Sequence, residues 1–120
     1  MNNDEILALV DLLYRATKEQ KLQWESALVY NQSGYRTVID NCTVSFAIYY
    51  DPIEHFSVAA VDLRNRNNVS FFKFTFPQPD YTEIYMSIDN LMNLINDQVY
   101  LITESKKQIF NKLNDMLKYF

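Results

Sequence analysis

The amino-acid sequence predicts a two-layer α+β fold: an N-terminal helix, an antiparallel meander of three to four strands, and one or two C-terminal helices. Three observations carry this. Apolar residues recur at three- and four-residue spacing near the start, at two-residue spacing through the middle, and at helical spacing again after Ser87. The β-type runs are joined by short turn-forming stretches, which suits hairpins. Helices that flank a run of strands rather than alternating with them must bury their stripes on one face of the sheet.

The first helix is expected over about residues 3–20. Ile6, Val10, Leu13, Tyr14 and Thr17 form its apolar stripe, widened by Leu7 and Leu9. Asn2 and Glu5 have the spacing of a capping box. Asp4 and Glu5 lie at the positive end of the helix dipole, with Lys18 and Lys21 near its negative end.

The period then becomes two. Leu22, Trp24 and Ser26 alternate with Gln23 and Glu25, as in a short strand or an extended lead-in to one. Asn31-Gln32-Ser33-Gly34 is expected to turn, because Gly and Asn tolerate positive φ. Tyr35 to Asp40 and Cys42 to Tyr50 read as strands. Asp51-Pro52-Ile53-Glu54 has proline at the favoured second turn position, His55 to Leu63 reads as a strand, Asn65 to Asn68 as a turn, and Val69 to Phe76 as the last long strand. Pro77-Gln78-Pro79-Asp80 should end the sheet, since proline lacks the ladder donor.

After it, Ile88, Leu91, Ile95, Val99 and Ile102 form one stripe that Ile109, Leu113, Met116 and Phe120 continue, with Ser87 as the expected N-cap. The stripe weakens around Thr103-Glu104-Ser105, so the sequence allows one long helix or two. Either is expected to cover the sheet.

Composition narrows the functional classes. A chain of 120 residues with 48% hydrophobic and 15% aromatic content supports one core, and a single domain spanning 1–120 is expected. Net charge of −4 works against nonspecific attraction to phosphate backbones or anionic lipid. One cysteine, Cys42, allows no disulfide or thiolate metal cage within the chain. With one glycine, Gly34, the chain has no glycine-rich phosphate loop. Met-Asn-Asn-Asp-Glu lacks a secretory signal's basic start, and no apolar run approaches the about 20 residues of a membrane span. The expectation is a cytoplasmic protein with no cofactor, no metal and no membrane partner.

Leu13, Thr17, Lys21 and Trp24 form L-x3-T-x3-K-x2-W at the end of the first helix. Tyr35-Arg36-Thr37-Val38-Ile39, a meander with Val61-Asp62-Leu63 before a polar turn, and a helical close follow. In these features the chain resembles a loose group of small uncharacterised bacterial proteins that share a helix, a Trp just past it, a strand meander and C-terminal helices. The resemblance covers most of the chain. It implies the fold class and a bacterial or phage origin, and no activity or functional residue.

Candidate chemistry is sparse. His55 has no second ligand or nucleophile in its motif, and Cys42 has no neighbouring positive charge to depress its pKa. Asp51 with Glu54, and Asp80 with Glu83, have turn and capping roles that account for them. The stretch Val69–Phe76 places Phe72, Phe74 and Phe76 on one face and Phe71 and Lys73 on the other, near Arg64 and Arg66, the make-up of a base-stacking strand. Single-stranded nucleic-acid binding through residues 69–76 is therefore the alternative reading, although packing against helices explains the same phenylalanines.

The sheet looks apolar on both faces. Val44, Phe46, Ile48, Phe56, Val58, Phe72 and Phe74 are assigned to one, yet Ala47, Tyr49, Ala59, Val61, Leu63 and Phe71 on the other are not polar. Either the chain covers the second face, with its final helix or the segment from Leu22 to Tyr30, or another molecule does. The second account makes Tyr49, Ala59, Val61, Leu63 and Phe71 a protein interface, most simply of a two-fold homodimer. The expected function is then a non-enzymatic protein-interaction domain: self-associating, or binding a cognate protein as an immunity or antitoxin-like factor or a small acidic chaperone.

Overall fold

Asn2 opens α1 (Asn3–Lys18) with the capping box read from the sequence. Its side chain accepts from the Glu5 amide at 2.8 Å, and its own amide donates to Glu5 Oε1 at 3.1 Å. The computed structural model describes residues 1–118. Five strands follow: β1 (Glu25–Val29), β2 (Gln32–Ile39), β3 (Cys42–Asp51), β4 (Phe56–Arg64) and β5 (Ser70–Pro77). They lie in the order β1-β2-β3-β4-β5, each antiparallel to the next, and α2 (Thr82–Leu117) closes the chain. This is the expected α+β meander, with the stretch beyond Trp24 forming a full fifth strand. Phe120, expected to extend the last stripe, lies outside the described residues.

The first two hairpins turn on pairs of residues with a left-handed backbone, three of the four being Asn or Asp, whose short side chains tolerate it. Tyr30 and Asn31 take φ of 53° and 62°, and Asp40 and Asn41 take 50° and 65°. The first of these turns comes earlier than the sequence suggests. Gly34 does not turn at all; it pairs with Ala47 inside the sheet. At the third turn Asp51 accepts from the amides of Ile53 and Glu54, and at the fourth Asn65 accepts from those of Asn67 and Val69. The last helix begins at Thr82, five residues before Ser87, because Ile84 and Tyr85 already belong to its buried stripe. It continues unbroken through Thr103–Ser105.

Register settles which residues share a face. Four turn residues separate the paired Asp51 and Phe56, so Tyr49 pairs with Val58, Phe46 with Val61 and Val44 with Leu63. This is one residue out of phase with the assignment made from the sequence, and a one-residue slip exchanges the faces. Ala59, Val61 and Leu63 therefore share the helix-facing side with Val44, Phe46, Ile48, Phe72, Phe76 and the exposed Phe74, while Phe56 and Val58 lie on the far side. The core is closed by Ile6, Val10 and Leu13 of α1 and by Ile84, Ile88, Leu91, Met92 and Ile95 of α2. Burying each large side chain of this set is worth about 1.5–3 kcal/mol.

Where α1 ends, a polar chain locks its last turn to the sheet and to α2. The buried Thr17 hydroxyl donates to the Leu13 carbonyl at 2.6 Å and accepts from Trp24 Nε1 at 3.0 Å, while its carbonyl accepts from Gln98 Nε2 at 2.7 Å. The Trp24 ring lies 6.3 Å from that of Phe46. This gives L-x3-T-x3-K-x2-W a structural meaning at Leu13, Thr17 and Trp24.

Candidate interaction surface

The far face of the sheet is covered largely by the chain itself. In the sheet order β1 neighbours only β2, yet its end reaches β3 and β4, because the first hairpin curls across them. Gly34 permits the curl: a Cβ there would lie 2.1 Å from the Phe46 carbonyl oxygen. Val29 and Tyr30 then pack over Ala47 and Ala60, a cross-strand pair small enough to receive them. The Tyr30 hydroxyl donates to the Val61 carbonyl at 3.1 Å, and Lys73 Nζ sits 4.6 Å from the Tyr30 ring centre. Burial first, then the negative Asp62 and finally Tyr49, push the Tyr30 hydroxyl up to about 12. Beside it the buried Asp62 accepts from Arg64 Nε at 3.0 Å and from the Ser70 hydroxyl.

Of the five residues expected to form an intermolecular contact, three belong to the interior. Ala59, Val61 and Leu63 are buried beneath the helices, so they contact the chain's own core rather than a second molecule. Tyr49 is half-buried beside the Val29–Ala47–Ala60 cluster. Phe71 alone is strongly exposed, beside the register shift at Leu63/Arg64. Of the two accounts of the second face, cover by the segment ending at Tyr30 is the one the fold uses.

The other candidates resolve as structural parts. His55 is exposed in a turn at φ 60°, with Nδ1 3.4 Å from the Tyr50 hydroxyl. Cys42 begins β3 while His55 follows its far end, roughly 30 Å away by strand rise, so the two do not meet. Asp51 caps its turn, and Glu83 sits in the first turn of α2. Phe76 is buried, Phe74 lies 4.9 Å from it, and both meet Tyr81 edge-on. The local basic groups are engaged: Arg64 with Asp62, Arg66 with Asp40, and Lys73 over Tyr30. Among the described residues no three His, Cys, Asp or Glu side chains converge as a metal site, and no helix is long and apolar enough to cross a membrane.

The surface that stands out is one that sequence reasoning assigned to the core. Up to Ile95, α2 lies on the sheet, and Val99 is its last side chain packed against the core. Beyond it the helix projects, and the molecule reaches 61 Å along its longest axis. Ile102, Ile109, Phe110, Leu113, Met116 and Leu117 are 48–70% exposed on this arm. Val99, Ile102, Lys106, Ile109, Leu113 and Met116 follow one another at steps of three and four, the spacing of a coiled-coil seam. Lys106, Lys107, Lys112 and Lys118 against Glu104 and Asp115 make the arm basic on a chain of net charge −4, so the body holds the acidic excess. At the root of the arm Leu22, Trp24, Ile95, Gln98, Val99 and Ile102 line a groove of about 530 Å³.

No family model matches the chain, and no curated protein or solved structure matches it either. The fold and the arm are read from their own geometry.

Proposed function

We propose that this chain is a non-enzymatic, cytoplasmic protein-interaction domain whose docking element is the projecting half of α2. One observation carries the reading: the apolar seam that buries Ile88, Met92 and Ile95 in the body runs on bare through Ile102, Ile109, Leu113 and Met116. A helix of about 18 residues is marginal in water without tertiary packing. An exposed apolar stripe on such a helix is the signature of helix-mediated recognition. An immunity or antitoxin-like factor, or a small acidic chaperone, would use a rigid body and a protruding helix in this way.

The test is site-specific photocross-linking in the source cells. A photoreactive residue at Ile109 should give one discrete adduct, whereas the same residue at Gln108, on the polar side of the same turn, should give little. The adduct should disappear when Leu113→Lys is added. Equal labelling from the two positions, or none from either, refutes the reading.

A further inference from the structure

Building on that reading, we propose that the occupant of the arm is the arm of a second copy, paired antiparallel in a two-fold dimer. The seam has a heptad period, and this period is satisfied by another helix rather than by a sheet. Pairing about a point midway between Lys106 and Ile109 sets Val99 opposite Met116 of the second copy, Ile102 opposite Leu113, and Lys106 opposite Ile109. Each of these layers then occurs twice, as an isologous contact requires. Lys106 faces an apolar side chain along which its stem can lie, and Lys112 faces Ser105. In parallel pairing Lys106 would meet its own copy within one layer.

Reach supports the same occupant. Val99 to Met116 spans about 26 Å of helix. In the antiparallel register the tip of each arm, with Met116 and Leu117, arrives at the other copy's groove beside Leu22 and Trp24. The six exposed side chains Ile102, Ile109, Phe110, Leu113, Met116 and Leu117 present on the order of 700 Å² per copy, close to the half-interface of a standard stable dimer.

The full chain is tested by sedimentation and by cysteine cross-linking in a Cys42→Ala background. Wild type should sediment as a concentration-dependent dimer. Lys106→Ile should tighten it by about tenfold, since it replaces the one polar seam residue with an apolar one. Ile109→Lys should give a monomer whose melting, measured at dilution where both are monomeric, matches wild type. On oxidation, an equimolar mixture of Ile102→Cys and Leu113→Cys chains should form covalent dimers, while either variant alone should not. A wild type that stays monomeric at the highest concentrations reached, or efficient cross-linking of Ile102→Cys with itself, overturns the proposal. If the cells instead yield an Ile109 adduct with a different protein while the purified chain is monomeric, the docking reading survives and this partner is wrong. No adduct together with a monomer removes both.

Discussion

Val61 is the residue on which the two assignments of the sheet faces differ most, and Val61→Glu separates them. It sits in a row that runs Tyr35–Phe46–Val61–Phe74 across four strands on the helix-covered face, with none of its surface exposed. Truncation to alanine would cost about 2 kcal/mol in transfer and cavity terms. A glutamate is worse: its carboxylate would lie among Phe46, Phe74 and the α2 stripe with no partner, a cost of several kcal/mol or more even after it takes up a proton. A domain of this size has about 5–15 kcal/mol to lose, so Val61→Glu should leave the chain largely unfolded at room temperature. Tyr49→Glu, on the far face and half-buried, should melt within a few degrees of wild type. Far-UV circular dichroism with thermal melting measures both. A folded, soluble Val61→Glu protein with an unchanged melting temperature would refute the register and restore the far face as the site of Val61.

Three further outcomes are expected. Gly34→Ala should destabilise by about 3 kcal/mol, because the added Cβ meets the Phe46 carbonyl and the first hairpin must lift off Ala47 and Ala60; a denaturant midpoint equal to wild type would show that the curl is not needed. Thr17→Val keeps the volume but leaves Trp24 Nε1 without its acceptor, so it should cost about 1–2 kcal/mol and shift the Trp24 emission, and an unchanged spectrum would count against the link between α1 and β1. For Tyr30, the folded hydroxyl holds its proton up to about 12 while the unfolded one releases it near 10.0, so its share of stability is complete below pH 10 and declines as pH rises toward 12. Tyr30→Phe should remove that alkaline loss together with tyrosinate absorbance at the high-pH end of the titration, and a wild-type titration whose high-pH end the substitution leaves unchanged would refute it.

The legible parts of the fold were those governed by local chemistry. The Asn2–Glu5 box, the Asp51 turn and the Asn65 turn each satisfy backbone donors within a few residues, and each forms as expected. The phase of β4 was not legible, because Val58 to Leu63 is buried on both faces and carries no alternation to read. Only the length of the loop from Asp51 to Phe56 sets its pairing. Gly34 misled for a related reason. Glycine is used both where φ is positive and where a backbone passes close, and here Tyr30 and Asn31 take the turn while Gly34 takes the close approach.

The arm shows what periodicity cannot carry. A stripe states that one side of a helix is to be covered, not by what. Burial along the stripe tells where the chain supplies its own cover. Over the sheet, Ile84, Tyr85, Ile88, Leu91, Met92 and Ile95 make the broad apolar face that a helix needs to lie on a layer of strands. Past Val99 the face thins at Thr103–Ser105 and resumes at Ile109, Phe110, Leu113, Met116 and Leu117, all of them exposed. The thinning at Thr103–Ser105 left one helix or two open in the sequence, and it marks where one unbroken helix stops serving the sheet. An exposed apolar face interrupted by a single lysine is costly to leave in water, and its heptad spacing fits another helix of the same pattern. The change from buried to exposed along one unbroken apolar face is therefore the physical ground for placing the proposed docking surface beyond Val99, and not on the sheet.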